Sequence, residues 1–174
     1  MKVCPTSLPE ILELTLDCVS DERGFFARCW SKEIAQEFGL VNELDSWSFS
    51  FNHSKATLRG LHWQSDPFGE TKLVRCIQGE IWDVAVDMRP NSATYKKWVG
   101  TTLSAGKLNA LYIPSGFAHG FITLSDNALV HYGINGDYSP EHAMGARWND
   151  PAFAIDWPIE PLIMNERDAD CEYR

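Results

Sequence analysis

Two histidines sit where backbone turns could aim them at a common point. His62 lies in Thr57-Leu58-Arg59-Gly60-Leu61-His62-Trp63-Gln64, which puts a cation and an imidazole close together on one strand. His119 follows Pro114-Ser115-Gly116, so a Pro-x-Gly turn delivers it onto the next strand. Lys72 opens the run Leu73-Val74-Arg75, and Tyr132 lies within Leu129-Val130-His131-Tyr132-Gly133-Ile134. Proton abstraction beside a carbonyl needs a base near neutral pKa, a cation for the enolate oxygen and an acid on the opposite face. His62, Lys72 and Tyr132 could fill those three roles. Taken singly, each has an ordinary alternative. Any of the five histidines can be a hydrogen-bonded core residue, Lys72 a strand-edge surface lysine, and Tyr132 a core tyrosine with a satisfied hydroxyl.

Metal binding is the competing chemistry. Pro114-x-Gly116-x-x-His119 matches the second half of the metal-cupin signature. The first half requires two histidines separated by one residue, where this chain has His62-Trp63-Gln64, and an amide replaces imidazole poorly. A metal reading would have to use His62, Gln64, Glu70 and His119. No metal is expected on that ligand set.

Strand parity constrains how these groups are placed. Arg59 and His62 are three residues apart, so on an ideal strand they point to opposite faces. A bulge at Gly60 could re-aim one of them, or one could serve a neighbouring chain. Asp83 and Asp87 share a face by alternation. Either one of them meets a basic residue inside, or both lie on a wet sheet face.

The elements that must carry these residues read as short strands. Leu12, Leu14 and Leu16 alternate with polar residues, as do Trp47, Phe49 and Phe51, and both patterns suit half-buried strands. Lys72–Gln78 and Glu80–Met88 are apolar runs joined across Gly79, which predicts a hairpin. Further strands are predicted at Trp98–Leu103, Ala110–Ile113, Gly120–Leu124 and Leu129–Ile134. One helix is predicted from Ser31, a capping residue, to Gly39, a terminator. The fold class is therefore all-β with few short helices, a jelly roll or barrel, in a single domain over residues 1–174.

The composition excludes several partners. Lys and Arg total 15 against 24 Asp and Glu, a net charge of −9, so neither nucleic acid nor an anionic membrane is an expected partner. An anionic small ligand would need a local cluster of Arg and Lys. No stretch approaches the roughly 18 apolar residues of a membrane span, and the amino terminus lacks a signal-peptide pattern. The five cysteines are scattered without a CxxC pair, which argues against a disulfide framework and points to the reducing cytoplasm.

An ordered series of motifs along nearly the whole chain resembles the dTDP-4-dehydrorhamnose 3,5-epimerase family. It comprises Arg23-Gly24-Phe25-Phe26, Leu58-Arg59-Gly60-Leu61-His62, Lys72-Leu73-Val74-Arg75, Asp83-Val84-Ala85-Val86-Asp87 and Ile113 to Phe121. Asn149-Asp150-Pro151, Asp156-Trp157-Pro158 and Arg167-Asp168 complete it. The resemblance implies a cupin-type jelly roll, or double-stranded β-helix. It implies a cofactor-independent epimerase acting on C3, C5 or both of a nucleotide-linked 4-keto-6-deoxyhexose, assembled as a homodimer. By that likeness His62 is the base, Asp168 its dyad partner, Lys72 the enolate stabiliser and Tyr132 the proton donor. Arg23, Arg59 and His119 would contact substrate. Phe26, from the partner subunit, and Tyr138 would stack on the base.

Four positions depart from the family pattern. Arg28 and Ala143 stand where glutamates are usual, Arg167 replaces a lysine, and Trp47-Ser48-Phe49 or a gap stands where Gln-x-Asn is expected. All concern ligand contacts, so the resemblance implies a retained reaction with an altered nucleotide or sugar. A sugar-nucleotide-binding protein without catalysis is the alternative, against which the intact His62, Lys72, Tyr132 and Asp168 weigh.

Overall fold

Thirteen strands and two short α-helices make up the computed structural model, which describes residues 1–174. The first half of the chain gives β1 (Lys2–Pro5), β2 (Leu12–Thr15), β3 (Cys18–Asp21), β4 (Gly24–Ala27), α1 (Lys32–Phe38), β5 (Ser46–Asn52) and β6 (Leu58–Gln64). Next come β7 (Thr71–Gln78), β8 (Glu80–Asp87), β9 (Trp98–Ser104), β10 (Asn109–Ile113), β11 (Phe117–Thr123) and β12 (Ala128–Asn135). The last elements are β13 (Ala143–Gly145) and α2 (Glu166–Ala169).

The strands form two sheets, ordered β1-β2-β10-β7-β12-β5 and β13-β6-β11-β8-β9, with β3 and β4 as a separate hairpin. Val74, Cys76, Leu111, Ile113 and Val130 of the first sheet pack against Ile81, Ala85, Leu103, Phe117 and Phe121 of the second. Each buried Val, Leu, Ile or Phe among them contributes about 1.5–3 kcal/mol. The outer face of the six-stranded sheet is half covered by α1, where Ala35 joins Leu14, Leu73, Ala110 and Tyr112. Ser31 caps that helix by accepting from the Ile34 N–H, and Gly39 ends it in the left-handed conformation.

Two sequence expectations need correction. β7 and β8 do not pair as a hairpin: they belong to opposite sheets. Gly79 is the corner between them, with φ of +75°, and a Cβ there would collide with Ser125. Crossing between sheets lets two consecutive apolar runs both face the interior, a pattern that pairing in one sheet would also produce. Nor is the apolar face of β5 buried by this chain. Trp47, Phe49 and Phe51 remain 47%, 67% and 43% exposed, because β5 is an edge strand and these rings lie on the uncovered outer face.

Asp83 and Asp87 both avoid water completely. Asp83 meets His119, as described below. Asp87 accepts from Arg89, Ser92 and Thr94, and Arg89 also binds Glu10. Burial alone would raise the Asp87 carboxyl, but these donors outweigh it and hold its pKa below the usual carboxylate range. A folded pKa below the unfolded value of about 3.9 gives stability that is fully present above that value and is lost as pH falls from it through the lower folded pKa. Thermal stability of the wild type should therefore fall steeply below about pH 4, and the Asp87→Asn profile should be lower at neutral pH and flatter below about pH 4. Parallel profiles for the two proteins would dismiss this carboxylate as a source of acid sensitivity.

Candidate active site

Gly60 resolves the parity conflict between Arg59 and His62. On β11, His119 faces His62 and Phe121 faces Arg59, so Gly60 and Leu61 together oppose the single residue Gly120. This is a bulge, and only glycine can make it. Gly60 has φ of +117°, and a Cβ would come 2.6 Å from Gly120 Cα and 2.7 Å from the His119 carbonyl oxygen. With the extra residue absorbed, Arg59 and His62 line one cavity of about 170 Å³, together with His119, Phe121, Tyr132, Asn165 and Asp168.

The C-terminal segment reaches this cavity through a backbone tether. Leu58 N–H donates to the Ile163 carbonyl at 2.9 Å, which sets α2 beside β6. Asn165 then caps the short helix, its Oδ1 accepting from the Asp168 N–H at 2.7 Å. Asp168 Oδ1 lies 2.7 Å from His62 Nε2, while its Oδ2 accepts from the Gly60 N–H at 3.0 Å. The bulge therefore both aims the imidazole and anchors its carboxylate. Burial pulls the Asp168 carboxyl upward, but the bonds from His62 and Gly60 prevail and lower its pKa. An ionised Asp168 accepts only, so Nε2 carries the His62 proton and Nδ1 keeps the basic lone pair.

A second imidazole–carboxylate pair lies beside the first. His119 Nε2 is 2.5 Å from Asp83 Oδ1, and burial pushes the Asp83 carboxyl up against the opposing pull of His119 and Lys72. Tyr132 comes from the other sheet, with its ring edge-on to His119 at 6.0 Å. Burial, reinforced by the Asp83 charge, raises the Tyr132 phenol well above its ordinary value, so it stays protonated at neutral pH. Lys72 is buried and is not among the residues lining the cavity. Its Nζ donates to the His62 carbonyl at 3.2 Å and pairs with Glu70 Oε1 at 2.6 Å.

Arg59 is held by Asn52, whose Oδ1 accepts from Arg59 Nε at 2.8 Å. Asn52 is 2% exposed and spends its amide donors on the Ser50 and Ala128 carbonyls. Trp47 and Phe49 stack on His131 on the outer face of the sheet, so the inward positions of β5 belong to Ser48, Ser50 and Asn52. Neither Asn52, Phe121 nor Asn165 was singled out from the sequence. For Asn165 a signal existed: an amide three residues before Asp168 has capping spacing.

The remaining predicted contacts do not line this cavity. Arg23 pairs with Asp21 on the β3–β4 hairpin, and Phe26 on the same hairpin is 67% exposed. Tyr138 is 69% exposed in the loop after β12, and Arg167 sits on the outer side of α2. The metal alternative finds no ligand set. Gln64 uses its amide on Phe68, Asp137 and Ser139, Glu70 is paired with Lys72, and no three His, Cys, Asp or Glu side chains converge as metal ligands.

An antiparallel double-stranded β-helix whose mouth gathers imidazoles, carboxylates and a phenol is a cupin-type jelly roll equipped with acid–base groups. The sequence profile described as dTDP-4-dehydrorhamnose 3,5-epimerase matches residues 5–173. A dTDP-4-dehydrorhamnose 3,5-epimerase of Shigella flexneri is 42% identical over 97% of this chain and 93% of that protein. The Bacillus anthracis enzyme of the same description, solved with TDP and pyrophosphate, superposes with a TM-score of 0.95 at 36% identity, covering 99% of both chains. The dTDP-6-deoxy-D-glucose-3,5-epimerase of Legionella pneumophila, in complex with dTDP-4-keto-L-rhamnose, gives 0.93 at 36% identity over 99% of this chain and 92% of its own. The chain belongs to the dTDP-4-dehydrorhamnose 3,5-epimerase family and is an isomerase.

Proposed function

We propose that this protein inverts C3 and C5 of a dTDP-linked 4-keto-6-deoxyhexose by successive proton transfers through enolates. The observation that carries this reading is that His62 and Tyr132 enter one cavity from facing sheets. A planar enolate between them can lose a proton to one wall and gain one from the other. His62 Nδ1 takes the proton alpha to the C4 ketone, and the C–H electron pair forms the carbon–carbon double bond. The carbonyl pair moves onto oxygen, where the Lys72 ammonium stabilises it. Tyr132 O–H then protonates the carbon from the opposite face as the ketone re-forms. Asp168 holds His62 in the required tautomer and steadies the imidazolium.

The cavity is smaller than the about 300–1,000 Å³ of ordinary ligand sites, so the sugar occupies it and the nucleotide extends beyond it. Arg59 at the rim and His119 beside the ring serve the diphosphate and sugar. A homodimer supplies the remainder: the exposed hairpin carrying Arg23 and Phe26 reaches a second copy's site, where Tyr138 offers the other stacking face. The uncovered Trp47, Phe49 and Phe51 give that dimer its apolar surface. Five free cysteines suit the cytoplasm, and no helix is long and apolar enough to cross a membrane.

Incubation with dTDP-4-keto-6-deoxyglucose in heavy water tests the reading. Two deuterons should enter the sugar, and NMR should place them at inverted C3 and C5. One deuteron at C3 alone would restrict the activity to a single carbon. A sugar that gains no label would reduce the protein to a binder.

A further inference from the structure

Lys72 is gripped by a carboxylate that the proton-transfer scheme leaves unused. Glu70 immediately precedes β7, and its Oε1 lies 2.6 Å from Lys72 Nζ, with 14% and 8% of the two side chains exposed. An ammonium offers three N–H bonds and no lone pair. The His62 backbone carbonyl accepts one at 3.2 Å, and Glu70 holds the charge as an ion pair without hydrogen-bond geometry. With an acceptor on β6 and an anion at the start of β7, the nitrogen is tethered from two sides and its free N–H bonds point away from both. A lysine stem without such restraint samples many rotamers and would hold no particular aim.

We propose that Glu70 is a positioning residue of this epimerase, locking the Lys72 ammonium so that a free N–H meets the enolate oxygen. The proposal rests on the reading of Lys72 as the enolate's partner. Because the hydrogen-bond acceptor is the carbonyl of His62 itself, the ammonium also braces β7 against the strand that carries the base. Glu70 further gives the buried ammonium a direct counter-charge, since its other anionic neighbour, Asp83, is already bonded to His119. A ketone oxygen gains little from a well-aimed ammonium, whereas an enolate oxygen bearing a full charge gains much. The effect of Glu70 therefore falls on kcat rather than on KM.

The test places Glu70→Ala and Glu70→Gln in both the wild-type and the Lys72→Met enzyme, with kcat, KM, deuterium exchange and thermal unfolding measured for each. Glu70→Ala should lower kcat and exchange by about ten- to a hundredfold, with KM within about threefold. Glu70→Gln keeps the shape and an acceptor oxygen, and should recover part of the loss. In the Lys72→Met background either change should alter the residual exchange by less than about twofold, since Glu70 acts only through Lys72. Equal losses in both backgrounds, or a change confined to KM, overturn the role. If the alanine variant unfolds, the same comparison with the glutamine variant decides. A Lys72→Met enzyme at full rate overturns the reading of Lys72 itself, whereas a crippled one beside an unaffected Glu70→Ala enzyme overturns only the role of Glu70.

Discussion

Replacing His62 with alanine lowers turnover by about a hundredfold or more, the range expected when a positioned general base is lost. The fold should survive, because Asp168 keeps its bonds from the Gly60 N–H and the Asp168 N–H stays capped by Asn165. Substrate affinity should change far less than rate. A ground-state contact to one imidazole is worth about a kcal/mol, while removing the base affects every proton abstraction. Deuterium exchange separates these terms: in the alanine variant it should fall in step with turnover at both carbons. Exchange at the wild-type rate would mean that another group takes the proton. His119 would then be the first candidate, since it lies directly opposite His62 on β11 and carries its own carboxylate.

Much of this arrangement was legible in the sequence because strand periodicity and turn chemistry are local. The alternation in β2 and the Pro-x-Gly turn before β11 follow from residues close together in the chain, as does the capped α1. The Gly60 bulge was legible as one of two ways to reconcile Arg59 with His62, the other being that one of them serves a neighbouring chain. What could not be read locally was partnership. Asp168 meets His62 across 106 residues, and only the resemblance, not spacing, pointed to it. Asn52 and Arg59 meet because the end of β5 and the start of β6 come together although the two strands belong to different sheets. The β7–β8 turn was misread for a related reason: glycine with positive φ serves a hairpin and a sheet-to-sheet corner equally well.

The surface of β5 shows how a correct pattern can carry a wrong implication. Alternation in Trp47, Phe49 and Phe51 identifies a strand, but period two says only that one face is apolar. Whether that face meets this chain or another depends on the strand's place in the sheet. Here the outer face near α1 is covered and the face over β12 is not, so Trp47 and Phe49 sandwich His131 and remain open to solvent. Two of the four unusual positions fit this geography. Arg28 adjoins the hairpin and Ala143 lies opposite Gln64 at the sheet edge, whereas His62, Tyr132 and Asp168 line the cavity and Lys72 bonds the His62 carbonyl. On the proposed roles, substitution at those two positions can change which nucleotide sugar is held without disturbing the groups assigned to proton transfer.

Tyr132→Phe should divide the reaction into its halves. The phenylalanine ring fills the same space between the core and His119, so stability should change little, while the only donor on that wall disappears. His62 can still remove a proton, and its side chain, 38% exposed, can trade that proton with solvent before returning it to the same face. Deuterium should therefore continue to enter the sugar within about tenfold of the wild-type rate, with retained configuration, while inversion falls by about a hundredfold or more. A phenol kept neutral by burial is suited to this donor role and poorly suited to act as a second base. The measurement is the ratio of label incorporated to product inverted, read by NMR on one sample. A ratio unchanged from wild type, with both processes slowed together, would show that Tyr132 shapes the cavity without delivering the proton. A ratio that rises steeply would locate the stereochemical outcome in one hydroxyl facing one imidazole across the sugar ring.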